Sequence, residues 1–161
     1  MGCTNFMHKK YLNFVIFSLA LLMFQQKSIA GTDTKTMLLT HKTPTCGCCK
    51  EWVKHANNNG FKVHTQDHKN LEDIKKMYAI KPEYRSCHTS VSTDGFIFEG
   101  HIPAKYIAQF LSENHPDAIG LSVPGMPLGS PGMEFDNRFT PYEVLILYKD
   151  GSSKVFAEVR N

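Results

Sequence analysis

Three thiols fall within four residues at Cys46-Gly47-Cys48-Cys49, and a further cysteine stands at Cys87. Thiolate is the form that attacks disulfides and holds soft metals, so the spacing limits what these residues can do. Four cysteines in an exported chain would ordinarily form two structural disulfides, with three possible connectivities. Crowding argues against that arrangement. Adjacent and i,i+2 cysteines bridge only with strain, because a disulfide needs a particular Cα separation, and one of the three at most can pair easily with Cys87. A soft metal suits the cluster better than a staple. Cys46 and Cys49 do keep Cys-x-x-Cys spacing, which leaves thiol–disulfide exchange as an alternative.

The elements that must position these thiols follow from pattern. Thr36-Met37-Leu38-Leu39-Thr40 reads as a short buried strand, and Pro44-Thr45 precede a helix from about Gly47 to Asn58 with Trp52, Val53 and Ala56 on one face. Asn57-Asn58-Asn59-Gly60 ends it, since Asn and Gly tolerate the left-handed conformation at a helix end. Phe61-Lys62-Val63-His64-Thr65 alternates as a second strand, and Asn70 can cap a helix to about Tyr78 with Leu71, Ile74 and Met77 on one face. Thr89–Ser92 and Phe96–Glu99 flank Asp94-Gly95 as a hairpin. Pro103 opens a helix to about Asn114 with Tyr106, Ile107, Phe110 and Leu111 at core spacing. The order β-α-β-α-β-β-α is that of a thioredoxin-like α/β domain. It puts Cys46, Cys48 and Cys49 in the loop and first helical turn after strand one, where free N–H groups and the helix dipole favour thiolate. A thioredoxin carries a proline opposite that turn. Here the place falls at or beside Cys87-His88-Thr89, so Cys87 and His88 are expected to face the first three thiols.

Charge and the N-terminus set the setting. The 161 residues suit one domain, and 42% hydrophobic with 20% charged residues is enough apolar material for a packed core. The formal net charge of +3 lies wholly in residues 1–30, which hold Lys9, Lys10 and Lys27 and no acid. A basic end, a 14-residue apolar run from Tyr11 to Phe24 and the small-x-small triplet Ser28-Ile29-Ala30 have the order of a secretory signal peptide. The run is too short to cross a bilayer comfortably, where about 20 residues are needed. Cleavage is expected after Ala30, leaving a neutral 131-residue chain from Gly31 that has lost Cys3 and meets the membrane only during export. No net basic charge remains to point to nucleic acid.

The run Thr45-Cys46-Gly47-Cys48-Cys49-Lys50-Glu51-Trp52 resembles the CopG-type copper-resistance proteins, as do Ser86-Cys87-His88-Thr89 and Glu99-Gly100-His101-Ile102-Pro103. So does Val123-Pro124-Gly125-Met126-Pro127-Leu128-Gly129-Ser130-Pro131-Gly132-Met133-Glu134. This family, long described only as a domain of unknown function, occurs in the periplasm of Gram-negative bacteria. The resemblance covers nearly all of residues 36–158. It implies a thioredoxin-like fold binding Cu(I) through the Cys-x-Cys-Cys thiolates, with the further cysteine joining a sulfur-bridged, multinuclear cluster. Carried over, the ligands are Cys46, Cys48, Cys49 and Cys87. It also brings in a copper oxidoreductase role interconverting Cu(I) and Cu(II), and other periplasmic copper-handling or redox proteins as partners. The donor chemistry agrees: thiolate selects Cu(I), zinc or iron–sulfur clusters. Zinc fits less well, since it wants four ligands in a tetrahedron, whereas bridging thiolates shared among two- or three-coordinate Cu(I) ions relieve the crowding.

Weaker candidates surround the thiols. His88 is either a ligand-side imidazole or an ordinary edge-strand histidine. His101, just after the fourth strand, either touches metal or caps the Pro103 helix, and His41 has a lesser claim of the same kind. Residues 122–134 form a Gly/Pro/Met loop that can be neither helix nor central strand. It is expected to fold back over the thiols with Met126 or Met133 as an auxiliary thioether ligand or lid, core packing of both being the alternative. His55, His64, His68 and His115 read as solvated, and Trp52 as packing that keeps water off the site. Residues 142–159 read as a C-terminal hairpin extending the main sheet rather than a separate domain. No phosphate-cradling glycine motif and no paired carboxylates are present.

Overall fold

The computed structural model describes residues 35–160. The expected signal segment 1–30, with Cys3 and the cleavage point after Ala30, lies outside these residues. Strand β1 (Thr36–Lys42) runs into helix α1 (Gly47–Asn58) and returns as β2 (Phe61–Asp67), parallel to β1 with Thr36 opposite Phe61. The helix has the expected bounds. Its apolar stripe Cys49, Trp52 and Ala56 is buried, and Gly60 at φ +92° supplies the left-handed turn that releases the chain into β2.

Helix α2 (Glu72–Met77) is shorter than the pattern suggests, and its buried face differs. Asn70 does take the amide of Glu72, at 3.2 Å. Leu71 and Lys75 face inward while Met77 is 65% exposed, so the expected Leu71–Ile74–Met77 face is wrong at its end. The reason is tertiary: Lys75 reaches a carboxylate on another element, described below, and a charge pairing of that kind leaves no trace in hydrophobic period. A short 3-10 turn (Pro82–Tyr84) follows, then the hairpin of β3 (Thr89–Ser92) and β4 (Ile97–Glu99) around Asp94-Gly95. Helix α3 (Ala104–Ser112) buries Ala104, Ile107 and Phe110, with Tyr106 and Leu111 half-buried beside them.

Strand β5 (Ala118–Ser122) was not legible in the sequence. It lies parallel to β4, with Gly120 opposite Ile97. A Cβ on Gly120 would sit 1.8 Å from the Ile97 carbonyl oxygen, so only glycine lets these two backbones pair. That same glycine, in mid-strand, is what weakens the strand signal. Strands β6 (Tyr142–Tyr148) and β7 (Ser153–Val159) form the expected hairpin, and β6 pairs antiparallel with β5. The sheet order is β2-β1-β3-β4-β5-β6-β7. Its first four strands, with the three helices, have the thioredoxin arrangement, and the extension joins the same sheet through β5.

The main core lies between the sheet and helices α1 and α3, joining Leu38, Trp52, Phe98, Ile107, Phe110, Leu121, Val144 and Ile146. A smaller cluster of Ile80, Ile97 and Leu147 packs on the other face. Among the described residues no helix is long and apolar enough to cross a membrane.

Candidate metal centre

The thiols gather where β1 hands over to α1. Cys46 is the N-cap of α1, and its sulfur accepts the Cys49 amide at 3.2 Å, so a cysteine does here what serine or aspartate does in most helices. Cys46 and Cys49 are joined as a disulfide across a Cα separation of 5.3 Å, well within the range such bonds prefer. Cys48 and Cys87 are free. The Cys48 sulfur lies 3.5 Å from that of Cys46 and 4.0 Å from that of Cys87, and the Cys49 and Cys87 sulfurs are 3.4 Å apart. All four sulfurs fall within 4.8 Å of one another. The expected convergence of Cys46, Cys48, Cys49 and Cys87 is therefore present. The Cys46–Cys49 bond is a difference from four free thiols, and it joins the pair on which the exchange alternative rests.

Cys87 lies in the turn before β3, opposite the N-terminus of α1, and is flanked by imidazoles. The His101 Nε2 is 2.9 Å from its sulfur and the His88 Nδ1 is 3.3 Å away. Cys87, His88 and His101 thus form a second cluster sharing one sulfur with the first. The tautomer of His101 follows from its other contact. Its Nδ1 faces the Pro131 carbonyl at 2.8 Å, which can only accept, so Nδ1 carries the proton and Nε2 presents a lone pair. His88 is fully buried against Trp52, whose ring centre is 4.5 Å away, and its Nε2 finds no partner among the described residues. The edge-strand alternative for His88 does not describe this environment.

Burial governs the electrostatics. It pushes the Cys87 thiol up to about 12, reinforced by the neighbouring Cys48, so without metal Cys87 keeps its proton. Burial lowers His88 well below the usual imidazole value, with His101 and Lys75 adding to the effect. It also lowers His101, against an upward pull from the Pro131 carbonyl. Neutral imidazoles and a soft cation that displaces the thiol proton are compatible.

The segment Ser86–Thr89 is anchored from beneath by Glu99, whose carboxylate is fully buried and paired with Lys75. It accepts the Ser86 amide at 2.6 Å and the Thr89 hydroxyl at 2.6 Å, while Lys75 Nζ also donates to Thr89 at 3.2 Å. Burial raises the Glu99 carboxyl, and Lys75 opposes that shift. Neither residue was singled out in the sequence, where a lysine in a short helix and a glutamate at a strand end look exposed.

The Gly/Pro/Met loop folds back as expected. Gly125 donates to the Arg85 carbonyl at 3.0 Å, and the Ser86 hydroxyl donates to the Gly125 carbonyl. Gly132, at φ +85°, lies so close to α1 that a Cβ would be 2.6 Å from the Cys48 carbonyl oxygen and 2.7 Å from the Trp52 nitrogen. Met126 keeps 51% of its surface exposed, against the core-packing alternative, while Met133 is half-buried. His41 does not join the thiols; its Nδ1 pairs with His68 Nε2 at 2.9 Å. Three histidines read as solvated are instead structural. His68 holds His41, His55 accepts the Ala104 amide at 3.0 Å to cap α3, and His115 stacks on Phe110 at 4.5 Å. The cap that α3 lacks locally thus comes from α1, a contact between residues 49 positions apart.

Comparison with known proteins agrees with this geometry. A family model described as a protein of unknown function, DUF411, matches residues 84–133, the span from the anchored cysteine turn through the loop. No curated protein matches the chain. Two solved structures titled copper resistance protein CopG, forms 2 and 1, are each 39% identical to the chain. Each covers 78% of this chain and 98% of its own, with TM-scores of 0.73 and 0.72. At that identity and coverage, over a fold of the same thioredoxin-like α/β class, the chain belongs to the CopG copper-resistance family.

Proposed function

We propose that this is a periplasmic copper-resistance protein, exported by cleavage after Ala30, that binds Cu(I) through Cys46, Cys48, Cys49 and Cys87 as a thiolate-bridged multinuclear cluster. The observation that carries the reading is four sulfurs within 4.8 Å of one another, three of them from a single helix turn, close enough for thiolates to be shared between soft ions. His101, with its Nε2 lone pair turned to Cys87, is the nitrogen donor best placed to complete the set. Soft, neutral or proton-displaced donors in a buried setting favour Cu(I) over a hard cation.

The Cys46–Cys49 bond supports copper redox activity at the same place. Two Cu(II) ions take one electron each from the reduced pair; the sulfur–sulfur bond forms, two protons leave, and two Cu(I) ions are left to the thiols that stay free, Cys48 and Cys87, the four-thiolate cluster belonging to the reduced pair. General thiol–disulfide exchange is the second reading, favoured by the same bond. Against it, a Cys87 thiol raised to about 12 is a poor attacking group on the neighbouring disulfide.

Metal analysis of the chain from Gly31, reduced and loaded with Cu(I) under anaerobic conditions, tests the proposal. More than one copper per chain with all four thiols protected from alkylation is expected, and Cys48→Ser and Cys87→Ser should each lower the stoichiometry. One zinc per chain with no uptake of Cu(I), or turnover of a peptide disulfide unaffected by Cys48→Ser, would overturn it.

A further inference from the structure

Lys75 and Glu99 form a buried ion pair on the face of the sheet away from α1. Burying two charges strips them of hydration, and apolar residues of similar volume often replace such pairs without loss of stability. An apolar pair would hold α2 on the sheet. It could not accept hydrogen bonds.

Those hydrogen bonds converge on one segment. Glu99 Oε1 takes the Ser86 amide and Oε2 takes the Thr89 hydroxyl, so one carboxylate grips both flanks of Cys87-His88. The backbone next to Glu99 grips the same region, with the Gly100 amide on the His88 carbonyl at 3.0 Å. The Glu99 carbonyl takes the Val123 amide at 2.9 Å, where the loop over the site begins. Cys87 itself belongs to no helix or strand, and it has to stay within 3.4 to 4.0 Å of sulfurs on α1. We propose that the Lys75–Glu99 pair is the positioning element that holds the Cys87 turn against the helix-borne thiols and so sets the metal affinity of the site. The idea rests on the metal-binding reading above for its copper arm only.

The test is the double variant Lys75→Met/Glu99→Met, which removes both charges together and leaves neither buried alone. Two readouts are taken on reduced protein: site-resolved alkylation of each cysteine without metal, and Cu(I) affinity by competition with a chromophoric chelator. Cys87 alkylation should rise severalfold while that of Cys48 stays at its wild-type rate. Cu(I) affinity should fall about 10- to 100-fold, the range seen when hydrogen-bond partners behind metal ligands are lost. A cooperatively melting double variant with unchanged Cys87 alkylation and unchanged affinity overturns the proposal. If that variant does not melt cooperatively, Thr89→Val decides on the same two readouts, and Thr89→Ser, which keeps the hydroxyl, should restore both. Should the wild-type chain take up no copper, the proposed function fails, and the alkylation rates alone decide the positioning role.

Discussion

Cys46 shows how one residue can satisfy a helix and serve a site at once. Its sulfur caps α1 through the Cys49 amide while lying in bonding contact with Cys49 and 3.5 Å from Cys48. That geometry follows from spacing, since an N-cap side chain that can accept lies within reach of the N3 amide. His41 shows the opposite. Nothing in its surroundings along the chain announces that it pairs with His68, 27 residues away, and that burial and His68 together lower its protonation range. The sign of the consequence is fixed. In the unfolded chain His41 takes its proton below about pH 6.5. The folded chain resists doing so, and its stability is present above that pH and lost as pH falls through the window. The loss is at most about 1.4 kcal/mol per pH unit. Glu99, raised by burial, contributes with opposite sign, so the comparison must be made against a variant that leaves it in place. Denaturant unfolding of the metal-free protein between about pH 7 and 5 should therefore show a steeper decline for wild type than for His41→Gln. Parallel curves would remove His41 from this account.

At the scale of elements, α1 and the two hairpins could be placed from period, caps and Asp94-Gly95 because each signal is local. The loop could be recognised as a loop from its prolines, but where it lies is a matter of contact. Gly132 sits against α1 with no room for a Cβ, whereas a Cβ on Gly125, also at positive φ, would meet nothing within 4 Å. Gly125→Ala should therefore lose only the conformational cost of a left-handed alanine, about 1–2 kcal/mol. Gly132→Ala should lose more, lift the loop from α1 and free the His101 Nδ1 from the Pro131 carbonyl. Emission from Trp52, the one tryptophan, is the natural probe. A shift in Gly132→Ala but not in Gly125→Ala is expected, and identical spectra and stabilities for the two variants would show that the close packing is not needed.

For the whole molecule, the extension is part of the core rather than an appendage. Val144, Ile146 and Leu147 on β6 are buried, two of them in the main cluster and one in the smaller cluster on the other face. Burying each is worth about 1.5–3 kcal/mol, which together rivals the roughly 5–15 kcal/mol that a domain has to spend. A chain ending at Thr140 keeps every thiol and the complete thioredoxin arrangement of β1 to β4. It should nonetheless show no cooperative thermal transition by circular dichroism. A sharp melt within a few degrees of the full chain would show that the thioredoxin core stands alone.

The sequence by itself determined which thiols could gather, the order of most elements and the end of the sheet at which those thiols sit. These rest on residue type, on periods of 2 and 3.6, and on caps and turns, all of which act over a few residues. Only the tertiary structure decided that Lys75 and Glu99 anchor Cys87, that His101 turns its lone pair to the sulfur, and that Gly120 admits a fifth strand between two hairpins. Each depends on groups far apart in sequence meeting where water is excluded, and a buried charge or a mid-strand glycine carries a local signal that points the other way.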